Sequence, residues 1–170
     1  ALLGDDIQVQ IGDYYNLYGS SKDARRYYLL AWEELNELGN QEELIAKYFG
    51  APVALEGPAL PEIYPSNAST TDRFMRDPGQ FSAGYVTARF DVEPDGDVSN
   101  VRVIESDPGN MLDKRVRIIL ARQQYRPRIV DGEVMETTGE TVRHEFRYEA
   151  RRRGDKDNKR PERLARPGSL

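Results

Sequence analysis

The stretch FDVEPDGDVSNVRVIES, residues 90–106, has apolar residues at alternate positions on both sides of a Pro94-Asp95-Gly96 turn. Strict alternation is the signature of a half-buried strand, and Asp-Gly is a strong hairpin turn because glycine takes positive φ without steric cost. Continued backward to Gly84, the first strand sends Val86, Ala88, Phe90 and Val92 to one face and Thr87, Arg89, Asp91 and Glu93 to the other. That pattern suits an antiparallel sheet covered on one side. The second strand carries Val98, Val101 and Val103; the step from 98 to 101 breaks the alternation and predicts a bulge or a late start near Ser99.

After the hairpin, SDPGN opens a helix expected from Met111, with Asn110 or Asp107 as cap and Asp113 in the first turn. Leu112, Val116, Ile119, Leu120 and Gln123 form its stripe, and Arg115, Arg117 and Arg122 face solvent. Tyr125-Arg126-Pro127 is expected to end it, since proline disfavours helix in its predecessor. A last strand over about 137–148 alternates Val142, His144, Phe146 and Tyr148 on one face. The order is β-β-α-β, an α+β unit: one helix on a three-stranded antiparallel sheet whose last strand lies beside the first.

The chain has 170 residues, net charge -5, 38% hydrophobic and 31% charged residues, which bounds it to one ordinary domain or two very small ones. No run approaches the roughly 20 apolar residues of a membrane span. The chain begins at Ala1, and a mature or truncated form is expected. Absent cysteine excludes disulfides, cysteine nucleophiles and cysteine metal sites. Residues 151–170 hold eight Arg or Lys and three Asp or Glu, a net of +5, so residues 1–150 sum to -10. This basic tail has no aromatic to stack on a base and no apolar face, so it is read as a disordered tail and no nucleic-acid partner is expected.

Residues 1–50 are read as a helical segment, 51–83 as a linker, 84–149 as the sheet domain and 150–170 as the tail. Within the first, Ile11-Gly12, Tyr15, Ala24, Tyr28 and Ala31 resemble the tetratricopeptide pattern, whose small residues let two helices approach while aromatics fill the gaps. Gly19-Ser20-Ser21 supplies the turn, with Ser20 or Ser21 as cap. The second helix, about 22–38, is expected to bury Ala24, Tyr28, Ala31, Trp32 and Leu35. Gly39 ends it, and a third helix runs over about 41–49. Gln8 and Asn36 depart from the repeat's large aromatic and closing proline. One repeat does not stand alone, so either upstream repeats or the C-terminal domain must cover it. Tyr14, Tyr15, Tyr18, Tyr27 and Tyr28 are read as packing residues. Asn67-Ala68-Ser69 fits a glycosylation acceptor that matters only in a eukaryotic secreted setting.

Residues 84–149 resemble the C-terminal domain of the TonB family of energy transducers. The likeness rests on Gly84-x-Val86, the run from Phe90 to Val98, Val101-x-Val103, Asn110-Met111, Tyr125-x-Pro127 and Phe146. Tyr64-Pro65 is similar to a short element that precedes the family's first strand, here set farther upstream. The resemblance implies a Gram-negative periplasmic protein that pairs, strand to strand, with the periplasmic segment of an outer-membrane transporter and transmits energy for uptake. It also implies inner-membrane motor proteins as partners, through an N-terminal anchor.

A last strand with an unpaired edge can bind an extended peptide by main-chain hydrogen bonds, and Thr141, Val142, Arg143, His144, Glu145, Phe146, Arg147 and Tyr148 are the residues expected to do so. The same edge could meet its own copy in a homodimer. The alternative is a soluble periplasmic adaptor that holds another protein on its helices without transducing energy. No enzyme and no cofactor are expected: there is one His, no phosphate loop, and the Asp95-Gly96-Asp97 run is too short for a calcium loop. His144 is read as half-buried and hydrogen-bonded.

Overall fold

A computed structural model describes residues 2–55, 57–64 and 81–149. Three helices come first: α1 (Leu2–Tyr18), α2 (Ser21–Leu38) and α3 (Glu42–Phe49). Helix α2 presents Ala24, Tyr28, Ala31 and Leu35 inward at helical spacing. Ser20 occupies its N-cap position in extended conformation but makes no side-chain cap bond, and Gly39 closes it at φ 65°. Gly12 is the point of closest approach, because a Cβ there would overlap the Tyr28 ring. Glu42 and Glu43 at the start of α3 and Lys47 at its end complement the helix dipole.

Among the described residues eight strands follow. Short strands β1 (Val53–Ala54) and β2 (Ile63–Tyr64) precede β3 (Phe81–Val92) and β4 (Val98–Asp107); helix α4 (Asp113–Leu120) leads to β5 (Tyr125–Arg126), β6 (Arg128–Val130), β7 (Glu133–Met135) and β8 (Thr137–Glu149). The principal sheet has the order β2-β8-β3-β4; β8, β3 and β4 are antiparallel and β2 is parallel to β8. The expected three-stranded antiparallel sheet is there, the last strand beside the first, and β2 extends it by a fourth strand. Helix α4 covers one face. Val86, Ala88, Phe90 and Val92 from β3 pack there against Leu112, Val116, Leu120, Tyr125 and Phe146.

Several boundaries differ from the sequence expectation. Strand β3 begins at Phe81 rather than Gly84, and the stretch read as a linker contributes β1 and β2. Helix α4 begins at Asp113 without a side-chain cap; Asn110 sits instead at φ 64° in the approach to it. It ends at Leu120, well before Tyr125-Arg126-Pro127, because Tyr125 and Arg126 are taken up by pairing with β1. The β6–β7 hairpin was not expected. Its turn, Asp131-Gly132, has φ 51° and 77°, both positive as a two-residue hairpin turn demands. The Asn67-Ala68-Ser69 and 150–170 readings lie outside the described residues.

This hairpin is what covers the helices. Val9, Ala24, Tyr28, Ala31, Leu35 and Phe49 form one buried cluster with Ile129 and Val134, and a Cβ on Gly132 would press on the Trp32 ring. Burying the larger of these, Val9, Leu35, Phe49, Ile129 and Val134, is worth roughly 1.5–3 kcal/mol each. The helix pair therefore packs on the C-terminal unit. Trp32 is half-buried rather than buried, and of the five tyrosines only Tyr28 is fully enclosed. Tyr15 and Tyr27 stack at 5.4 Å, whereas Tyr14 and Tyr18 are 61% and 70% exposed, because their side of α1 meets no other described element.

Candidate functional site

The principal sheet offers two long edges, β4 and β8, and they differ in regularity. Along β4, the register against β3 slips between Thr87 and Ala88, where Ile104 is the extra residue, and again between Arg89 and Asp91, where Asn100 stands at φ 51°. The second slip is the irregularity expected near Ser99. Bulges twist an edge and interrupt its row of donors and acceptors, so β4 is poorly built to receive another strand.

Strand β8 is regular from Glu140 to Glu149, each residue paired in order with β3. Its one irregularity is an extra residue near Gly139, at φ 77°. The Asp91 carboxylate fastens both bulges: it accepts from the Gly139 amide at 2.7 Å and from Asn100 Nδ2 at 2.8 Å. Those two bonds, the Gly139 amide first, hold the Asp91 carboxyl below its ordinary pKa.

The outward direction of β8 is read from Arg147, whose amide donates to the Glu62 carbonyl at 2.8 Å, away from β3. Backbone groups alternate along a strand, so Thr141, Arg143 and Glu145 point the same way. Among the described residues no strand pairs with them. Arg147 and Tyr148 are paired, with Ile63 and Tyr64 respectively. The edge expected to be open over all eight residues is thus open at Thr141, Val142, Arg143, His144, Glu145 and Phe146, and closed by β2 at Arg147 and Tyr148. Tyr64, singled out with Pro65 in the sequence, is half of the element responsible, but the closure itself has no sequence signal.

The side chains divide as the alternation requires. Phe146 is buried, with its ring where a Gly84 side chain would have to go; Val142, His144 and Tyr148 are half-buried; Thr141, Arg143, Glu145 and Arg147 are exposed. His144 Nε2 lies 2.9 Å from the Pro61 carbonyl, which only accepts, so that nitrogen carries the proton. The ring also stacks on Phe146 at 6.3 Å. On the open face, the Arg143 guanidinium sits 3.6 Å from the centre of the Tyr85 ring, and Tyr85 donates to Glu105 at 2.7 Å. The bond to Glu105 raises the Tyr85 pKa. Arg143 and Glu145 are 3.6 Å apart in an exposed pair that adds little stability.

A second constellation escaped sequence reasoning. Arg126, buried in β5, meets Asp13 on α1; Tyr28 donates to the same carboxylate at 2.9 Å, and Arg126 Nη1 reaches the Tyr48 carbonyl at 3.3 Å. Asn16 Nδ2 donates to the Tyr125 carbonyl at 2.8 Å. Gly96, at φ 88°, lies where a Cβ would strike that carbonyl and Asn16, so the hairpin turn, β5 and α1 meet at one point. A polar residue in an amphipathic helix and an arginine beside a proline carry no sign of such a pairing. Among the described residues, no group of three or more His, Cys, Asp or Glu side chains is placed to hold a metal, and no helix is long and apolar enough to cross a membrane.

Residues 81–148 match the sequence profile of the family described as Gram-negative bacterial TonB protein C-terminal. The Escherichia coli (strain K12) protein TonB is 41% identical over 44 residues, 26% of this chain and 18% of that protein. The chain therefore matches under a fifth of that relative's length. The segment from β3 to β8 is a TonB-type C-terminal domain, carrying the motif residues from Gly84 to Phe146 on the β3–β4 hairpin, in the approach to α4, in and just after β5, and on β8.

Proposed function

We propose that this protein works in the Gram-negative periplasm and that β8 accepts an extended periplasmic segment of an outer-membrane transporter as an added strand, through which energy for uptake is transmitted. The observation that carries this reading is the contrast between the edges: β4 is bulged twice, while β8 runs in register and turns Thr141, Arg143 and Glu145 outward without a described partner. Main-chain bonding supplies affinity in such a mode and alternate side chains supply selectivity. Arg143 on one face and the half-buried Val142 and His144 on the other are the side chains a guest would meet. A TonB-type domain is the family context for the transporter as partner, and coupling to inner-membrane motor proteins through an N-terminal anchor belongs to the same reading.

The test is a titration of isotope-labelled protein with a synthetic peptide from a transporter's periplasmic segment, read by amide chemical shifts. Shifts concentrated at 140–146 are expected. Shifts confined to α1–α3, or none, would reject strand addition. They would favour a soluble adaptor that holds a protein on its tetratricopeptide-like helices. The specific feature behind that second reading is the exposed aromatic side of α1, with Tyr14 and Tyr18.

A further inference from the structure

The outer side of β8 is already used once, by the chain itself. After β1 the backbone crosses the end of the sheet: Leu60 packs on the principal core, the Pro61 carbonyl takes the His144 Nε2 bond at 2.9 Å, and the Glu62 carbonyl takes the Arg147 amide at 2.8 Å. Ile63 and Tyr64 then run parallel to Arg147 and Tyr148. Resting on β8 as the acceptor edge, we infer that residues 60–64 are a strap holding the far end of that edge, so that a guest longer than the open window must displace them.

The window has two physical limits. At one end the Gly139 bulge, fastened by Asp91, reverses the outward alternation. At the other stands the strap. Between them, residues 140–146 present three outward positions, enough for a strand of about five or six residues. A longer parallel guest, continuing past Glu145, would need the Arg147 amide that Glu62 now accepts from.

The strap is weak enough to be displaced. It pairs through two residues, one of the shortest strands that can exist, and among the described side chains its apolar hold is the partly buried Leu60. Yet it is tethered, so it competes at an effective concentration of about millimolar, which a free peptide must overcome. Its effect is to lower the apparent affinity for a long guest by the fraction of time the far end is open.

Because the chain has no cysteine, the strap can be locked. Ile63 and Arg147 are Cα partners on neighbouring strands, about 4.8 Å apart by strand spacing and within disulfide range. The Ile63→Cys/Arg147→Cys pair is to be compared oxidised and reduced, against peptides of about six and about ten residues cut from one transporter's periplasmic segment. Oxidation should weaken the longer peptide at least about tenfold and leave the shorter unchanged. Leu60→Asp, which loosens the strap without touching β8, should tighten the longer peptide. Equal affinity of the longer peptide for the oxidised and reduced forms would overturn the strap while leaving β8 as acceptor. Failure of both peptides to shift residues 140–146 in any form would reject the acceptor edge itself, and the strap's role with it.

Discussion

Asp13 and Arg126, 113 residues apart in the chain, face each other as a two-point pair: Nε donates to Oδ1 at 2.9 Å and Nη2 to Oδ2 at 2.6 Å. The side chains are 10% and 21% exposed for Arg126 and Asp13 respectively. Such a pair positions more than it stabilises, since bringing both charges out of water offsets much of their attraction. Its geometry ties α1 to β5, directly below the turn of the hairpin that builds the sheet.

Breaking that pair from one side is therefore costly. Arg126→Ala leaves the Asp13 carboxylate enclosed without its cation, and the loss of unfolding free energy should be about 3–5 kcal/mol by urea denaturation. Replacing both with apolar residues, Asp13→Leu with Arg126→Met, should recover most of it. Hydrogen exchange should show α1 opening in Arg126→Ala before β3 and β8 do.

Tyr28 makes the same junction sensitive to alkali. Burial first, then the Asp13 carboxylate, raise its pKa well above the ordinary 10.0. The unfolded chain thus loses this proton before the folded one. The stability it supplies is full below about pH 10 and falls as pH rises beyond that. Tyr28→Phe should lose about 1–2 kcal/mol at neutral pH, with the bond to Asp13 gone, and should show a flatter decline between about pH 9 and 11 than the parent in paired denaturation curves.

Gly84 is required by its neighbours. A Cβ there would crowd the Asp107 carbonyl on β4 and the Phe146 ring on β8. Gly84→Val should destabilise by about 1–3 kcal/mol in thermal or urea melts, although valine is the better strand former.

The outward alternation of β8 makes opposite predictions for adjacent residues. Arg143→Pro removes an amide facing away from β3, which an edge strand tolerates, so the fold should survive with a loss of about 1–2 kcal/mol, part of it from the Tyr85 contact. Peptide-induced shifts at 140–146 should vanish. His144→Pro removes an amide facing β3 and should unfold the domain by circular dichroism.

Alternation and helical spacing were enough to find the hairpin at Gly96, the inward faces of β3 and β8, the buried stripe of α4 and the first two helices, because each depends on neighbours within a turn or two of chain. The Asp131-Gly132 turn was equally local and signals the β6–β7 hairpin, but its three-residue strands are too short to show a period. The burial of Tyr28 and the exposure of Tyr14 and Tyr18 could not be told apart in the sequence: all three suit an amphipathic helix, and only the position of α2 and the β6–β7 hairpin separates them.

The amino-acid sequence by itself determined the first helices, the long strands β3, β4 and β8 with their inward faces, and the buried stripe of α4, since hydrophobic periodicity acts over a few residues. It also held the motifs of a TonB-type domain in their order. Tertiary structure alone decided that Asp13 meets Arg126, that the helices rest on Ile129 and Val134, and that β2 closes β8 at Arg147 and Tyr148. These are pairings between distant parts of the chain, and a backbone amide carries no mark of which distant carbonyl will accept its hydrogen bond.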